Sequence, residues 1–236
     1  RHGWSDTAVV AVVGIGASAL RAAVVRGDGR DQQVLGVPDG YDGASGRAFD
    51  DAMTRHVAAA LGVTLPTLGG VSRDEDGLAA ALVIPDDAAA ELRGLCIEAK
   101  ELLSIDTHVT IEPTAIGGAR VRMVRSELEA LIRKPVIASV DALRRTVRSA
   151  GLSPDDVSTV LLVGGSAQVP LVGEVFSTEF GRPVEVDPDP SYALALGAAR
   201  LAGDAAGTPL EYDDSDLEQD EAPSRGFVLP WRRPRK

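Results

Sequence analysis

The sequence predicts an α/β fold, and three observations carry that prediction. Apolar runs separated by Gly-rich turns open the chain as an antiparallel meander. Apolar residues then recur at three- and four-residue steps, as helices packed on a sheet require. Finally, residues 157–201 alternate strand, helix, strand, helix, which implies parallel strands joined by right-handed crossovers. The expected body is a mixed sheet with helices against it.

The elements follow in order. Ala8–Val13 is a continuous apolar run closed by Gly14, as a buried strand should be. After Gly14-Ile15-Gly16-Ala17-Ser18, a second run spans Leu20–Val25 and ends on Arg26-Gly27-Asp28-Gly29, a hairpin signal; Gln32–Val37 forms the third strand. Arg47–Leu61 turns helical, with Phe49, Met53, Val57, Ala60 and Leu61 on one face. Gly and Pro punctuate residues 62–77. A long helix after Pro85 carries Leu92, Leu95, Cys96, Ala99, Leu102 and Leu103 as its apolar stripe. Thr107–Ile111 pairs with Ala119–Val124 across Gly117-Gly118. Ser126 and Glu129 have capping-box spacing for the next helix, which Pro135 is expected to end or kink; a further helix then buries Val136, Val140, Leu143 and Val147 and stops near Gly151. Val157–Val163 is a strand, Val169–Phe180 a helix stopped by Gly181, Val184–Val186 a short strand and Tyr192–Leu201 an Ala-rich helix.

Composition bounds the function. A net charge of −11 argues against nucleic acid as a partner, which needs a basic face. Residues 204–225 hold eight of the acidic groups against Arg225 alone, and their few large apolar residues predict disorder. The last eleven residues reverse the sign, with Arg232, Arg233, Arg235 and Lys236 beside Trp231, a pattern that flanks membranes on their cytoplasmic side; a transmembrane helix beyond Lys236 and a basic terminal tag are equal readings of it. No apolar run is long enough to span a bilayer, no signal peptide is recognisable, and the start at Arg1 suggests a processed product or excised piece. The single Cys96 excludes an internal disulfide and suits a cytoplasmic setting, and His2, His56 and His108 build no ligand set.

The functional signal lies in three stretches that occur in a fixed order. Ala99-Lys100 through Leu103-Ser104 precedes the Thr107–Ile111 strand; Leu161-Leu162-Val163-Gly164-Gly165-Ser166-Ala167-Gln168-Val169-Pro170 follows; Asp187-Pro188-Asp189-Pro190 then leads into Ala193-Leu194-Ala195-Leu196-Gly197-Ala198-Ala199. Together they resemble the second lobe of the actin-like (ribonuclease H-like) ATPase domain of the DnaK-type heat-shock chaperones, over roughly residues 8–203. The resemblance implies a core subdomain of residues 1–45 and 125–203, an inserted helical and hairpin α/β subdomain of 46–124, and a tail of 204–236. It implies ATP or ADP as ligand, with Gly164, Gly165, Ser166, Lys100 and Ser104 on the adenosine side and Gly16, Ala17, Ser18 and Gly46 on the phosphate side.

Departures from the family pattern point away from hydrolysis. Gly14 stands where the family places the carboxylate that helps hold hydrated magnesium, and Ala19 where it places a threonine, which weakens the expectation of Mg2+. Ile97, Glu101, Gln168 and Ser191 replace a glutamate, a basic residue, an arginine and an aspartate. The segment that keeps Ser45-Gly46 and Phe49-Asp50 has Ala48 in place of an acid. The leading expectation is a pseudo-ATPase nucleotide-binding module with no catalytic residue. The alternatives are a non-enzymatic interaction scaffold tethered at the cytoplasmic face of a membrane, and an active folding chaperone completed by a first lobe absent from this sequence.

Overall fold

The computed structural model describes residues 7–27, 32–66 and 82–205. Among these the chain divides after Ala193, and the first unit is built on a five-stranded sheet. Its strands are β1 (Val9–Ile15), β2 (Leu20–Arg26), β3 (Gln33–Tyr41), β8 (Thr159–Val163) and β9 (Val184–Val186), arranged β3-β2-β1-β8-β9. β1, β2 and β3 form the expected antiparallel meander; β8 joins β1 in parallel, and β9 joins β8 in parallel. The register sets Gly14 opposite Val163, so the turns after β1 and β8 leave the same end of the sheet.

The third strand runs four residues past the expected end at Val37. Pro38, which cannot donate to a ladder, is absorbed in a bulge on this edge strand. Ala22 pairs with Asp39 and Val24 with Leu35, so Gly36-Val37-Pro38 face one residue of β2, and Gly36 takes φ 66° to make the bend. Ser149 closes the bulge: its Oγ accepts from Val37 N at 2.8 Å, and Asp39 pairs with Arg145 Nε at 2.5 Å. The tip of the β2–β3 hairpin lies outside the described residues.

One face of the sheet is covered by helices. α1 (Gly46–Ala60) buries Phe49, Met53 and Val57 as expected, but Ala60 is exposed, and Asp50, Thr54 and Ala58 complete the buried face. α2 (Asp86–Leu103) buries Leu92, Cys96, Ala99 and Leu103, while Leu102 is exposed. Two features between them lie beyond the sequence reading: β4 (Val63–Thr64) and β5 (Leu82–Val83) pair in parallel. Part of the Gly/Pro-punctuated stretch, 67–77, lies outside the described residues.

The hairpin of β6 (His108–Ile111) and β7 (Val121–Val124) is antiparallel, with Gly117 and Gly118 at φ 77° and 70° in its turn. A carboxylate fastens it to α2. Glu91 accepts from Thr114 Oγ1 at 2.6 Å and from the amides of Thr114 and Ala115 at 2.9 Å each. The Thr114 hydroxyl first, then the two amides, hold its pKa below the usual carboxylate range.

The expected break at Pro135 does not occur. α3 runs unbroken from Arg125 to Ser149. A proline inside a helix costs about 3 kcal/mol. Leu128 and Ile132 before it, and Val136, Val140, Leu143 and Val147 after it, are buried along the helix, each worth roughly 1.5–3 kcal/mol. Burial on both sides outweighs the proline. The cap also shifts: Glu127, not Glu129, reaches back, accepting from Val124 N at 2.9 Å, because the helix begins at Arg125.

α4 (Pro170–Phe180) ends on Gly181 at φ 77°, as expected. α5 (Ala193–Ala205) runs longer than the expected Tyr192–Leu201 and forms the described part of the second unit. Of the tail expected to be disordered from residue 204, Asp204 and Ala205 belong to α5, and residues 206–236, with the expected membrane link, lie outside the described residues. No helix among the described residues is long and apolar enough to cross a membrane.

Candidate functional site

The site forms where two parallel strands end side by side. β1 leads into Gly16-Ala17-Ser18, and β8 leads into a 3₁₀ turn, Gly165–Gln168, whose preceding residue is Gly164. Gly164 sits at φ 90°, ψ 151°, backbone that is essentially closed to residues with a side chain. It is also packed hard: a methyl group there would stand 2.7 Å from the carbonyl carbon of Ile15. The β8 turn therefore touches the end of β1 through backbone alone.

The N-terminus of α1 closes the third side. Gly46 N donates to Gly16 O at 3.0 Å, and Arg47 N to Ala17 O at 2.9 Å. A side chain at Gly46 would meet Ser166 Oγ at 3.3 Å and Ala17 Cα at 3.4 Å, so glycine lets these three segments approach. A fourth segment arrives from beyond β9: Gly164 N donates to Pro190 O at 2.6 Å, and Gln168 Nε2 donates to Ser191 Oγ at 3.3 Å. Gly16, Ala17, Ser18, Gly46, Gly164, Gly165 and Ser166, seven of the nine residues expected at the site, lie on these joined segments.

The donors available differ from expectation. The amide of Gly16 already donates to Ala19 O at 3.0 Å, closing the turn on itself. The Gly46 amide is likewise spent on Gly16 O. The first turn of α1 is satisfied in full, since Ala48 N bonds Ser45 Oγ at 3.3 Å and Phe49 N bonds Ser45 O at 3.0 Å. Of the Gly16, Ala17 and Ser18 amides expected to cradle phosphate, the first is thus already engaged. The exposed amides of Ala17 and Ser18 remain, with no acceptor among the described residues. Ser166 is only 8% exposed, and its hydroxyl has no hydrogen-bond partner among the described residues.

The bonds of the Lys100 and Ser104 side chains run to neighbouring helical residues, not to the glycine turns. Lys100 lies in the last turn of α2 and Ser104 caps its C-terminus, where Ser104 N donates to Glu101 O at 3.1 Å. Lys100 Nζ stands 2.7 Å from Asp50 Oδ1, with both side chains 12% exposed, although that oxygen receives no aligned hydrogen bond. Ser104 Oγ donates to Lys100 O at 3.4 Å. Beside this pair, Thr54 Oγ1 donates to Asp50 O at 2.7 Å. Burial, opposed by a hydrogen bond with Thr54, pushes the Cys96 thiol up to about 11, which suits the core role expected of it. Asp50 is the functional-looking residue whose partner sequence spacing does not reveal, because fifty residues separate it from Lys100.

The donor set decides which ligands fit. Magnesium is a hard cation that proteins hold through carboxylates. The residues joined by these contacts, Gly14 to Ala19, Ser45 to Arg47, Gly164 to Gln168 and Pro190-Ser191, contain none. Among the described residues no cluster of three or more His, Cys, Asp or Glu could hold a metal. The residues present do not fit a protein-held magnesium ion. Backbone amides, a serine hydroxyl and an exposed arginine do fit an anionic, hydrogen-bonding ligand.

Comparison with known proteins gives this arrangement a lineage. The profile of the Hsp70 protein family matches residues 4–219. The chain is similar to the chaperone protein HscA homolog of Shewanella denitrificans, 31% identical over 214 residues, covering 89% of this chain and 30% of that protein. It is 31% identical over 199 residues to the HscA homolog of Azotobacter vinelandii (84% of this chain, 29% of that protein) and 34% identical over 196 residues to that of Pseudomonas putida (78% and 31%). The chain thus spans about a third of the length of these curated relatives.

Proposed function

The chain belongs to the Hsp70 family, and from that premise we propose that it is a divergent nucleotide-binding module, the second lobe of an actin-like ATPase domain, which takes ATP or ADP and hydrolyses ATP weakly or not at all. The observation that carries this reading is the pairing of two turns: a Gly164-Gly165-Ser166 turn built for close backbone approach, beside a β1–β2 turn with no carboxylate. Gly165 is exposed and Ser166 has a hydroxyl to offer, so this turn would face the adenosine. Ala17 and Ser18 would meet phosphate through their amides. Phosphoryl transfer depends on charge placed around the reacting group and on a positioned nucleophile. Gly14 supplies neither a metal ligand nor a base. A companion lobe would close over the nucleotide and exclude water, and the setting would be the cytoplasm or the cytoplasmic face of a membrane.

Calorimetric titration of ADP and ATP into the chain, followed by a phosphate-release assay, tests both halves. The expected result is saturable binding, a rise in melting temperature with ligand, and phosphate release no faster than the blank. No heat and no melting shift at millimolar nucleotide would overturn the binding half; release well above the blank would overturn the hydrolysis half.

A second reading, a scaffold that has lost nucleotide binding, is favoured by one observation. Lys100 is committed to Asp50, and the amides of Gly16 and Gly46 are committed to carbonyls. It expects a melting temperature indifferent to nucleotide together with a stoichiometric protein partner. A relative bearing the chaperone name suggests a client or co-chaperone as that partner.

A further inference from the structure

We propose that this site binds the phosphates of its nucleotide without a divalent metal, and that Arg47 supplies the positive charge in the metal's place. The proposal rests on the nucleotide-binding reading above and adds to it a residue and a metal requirement.

Three observations converge on Arg47. It is the single charged side chain among the segments joined at the site, Gly14 to Ala19, Ser45 to Arg47, Gly164 to Gln168 and Pro190-Ser191. Its amide is bonded to Ala17 O at 2.9 Å, so its long side chain starts beside the exposed Ala17-Ser18 amides. The side chain is exposed and has no ion-pair or hydrogen-bond partner among the described residues, as is also true of Arg55, Arg122 and Arg148, but of these Arg47 alone lies on a segment joined at the site.

Its position also runs against local electrostatics. The first turn of a helix carries partial positive charge and favours Asp or Glu. In α1 that turn has no acid and an arginine instead. A residue that breaks a local rule without a structural partner is where a function is to be sought. Beside Arg47's helix end, Ser166 is 8% exposed and its hydroxyl stands 3.3 Å from where a side chain at Gly46 would begin, placing a donor and acceptor next to the Ala17-Ser18 turn. A nucleoside diphosphate presents what this set lacks: acceptor oxygens for Ala17, Ser18 and Ser166, and negative charge for a guanidinium fork. Where carboxylates are missing, an added cation has no protein ligand to hold it, and a fixed arginine removes the need for one.

The test is ADP titration of the full chain in excess Mg2+ and in EDTA, for the wild type, Arg47→Glu and Gly14→Asp, with adenosine as the uncharged probe. The wild type should bind ADP equally well in both media. Arg47→Glu should weaken ADP by about tenfold or more and leave adenosine unchanged. The exchange puts an acid in a helix's first turn, so folding should not suffer. Gly14→Asp has room for its Cβ, 3.5 Å from Val163 Cγ2, and should make ADP binding tighter in Mg2+ than in EDTA. Wild-type binding that appears only with Mg2+, or an Arg47→Glu protein with full ADP affinity, overturns this proposal and leaves the nucleotide site standing. Absence of ADP binding in both media overturns the nucleotide site and this proposal with it.

Discussion

The turn after β8 and the end of β1 lie on neighbouring parallel strands at the same end of the sheet, yet Gly164 in the one and Gly14 in the other answer to different constraints. Gly164 combines φ 90° with a backbone neighbour, Ile15, inside the space a methyl would need. Gly14 has ordinary strand geometry, and a methyl there would meet Val163 Cγ2 at 3.5 Å and Arg21 O at 3.9 Å, normal packing distances. Glycine is compelled by the fold at position 164 and merely present at position 14. The lesson is that backbone economy explains the retained half of the site and does not explain the missing carboxylate. Gly164→Ala is the most severe way to test this contrast. Backbone strain and overpacking together predict a loss of roughly 3–5 kcal/mol, read as a drop in the urea midpoint at constant m-value. A fully stable Gly164→Ala protein would erase the contrast.

The Lys100–Asp50 ion pair between α2 and α1 sharpens the comparison. Lys100 and Asp50 are each 12% exposed and 2.7 Å apart, so removing the lysine strands a carboxylate in a nearly dry seam. Lys100→Met is expected to cost about 3 kcal/mol, with part of it recovered when Asp50→Asn is added. If Lys100 is a structural counter-ion, adenosine affinity should track the remaining folded fraction and nothing more. A stable Lys100→Met protein with lost adenosine affinity would instead make the lysine a ligand contact, and would place it with Ser166 on the functional side of the contrast.

Much of this was legible beforehand because local rules and the tertiary fold agree. The apolar runs Ala8–Val13, Leu20–Val25 and Val157–Val163 correspond to the strands Val9–Ile15, Leu20–Arg26 and Thr159–Val163, in the expected order, and Gly117-Gly118 and Gly181 became the turn and the stop that their left-handed backbone suits. What could not be read depends on contacts between distant residues. Pro135 stays helical because buried residues on both sides outweigh it, and Pro38 stays in β3 because Ser149, over a hundred residues away, receives the bulge. The same holds among the expected site residues. Lys100 is met by Asp50 from another helix, fifty residues away in sequence, a pairing that its own helix does not reveal. Spacing on one element places a side chain on a face; it does not say which partner reaches that face first.

The smallest expected effect is the most informative about chemistry. Gly14→Ala should leave stability unchanged or raise it by about 0.5 kcal/mol, since the new methyl fits and the unfolded chain loses freedom. A thermal melt against the wild type checks this, and a loss beyond about 1 kcal/mol would mean that the strand end is tighter than its neighbours indicate. If the change is neutral, no packing demand excludes a side chain from position 14, and a carboxylate could stand there at no structural cost. Its absence then belongs to the site's ligand chemistry: a turn that keeps its shape, drops its metal anchor and has an unpaired arginine on the adjoining helix is arranged to hold an anion directly.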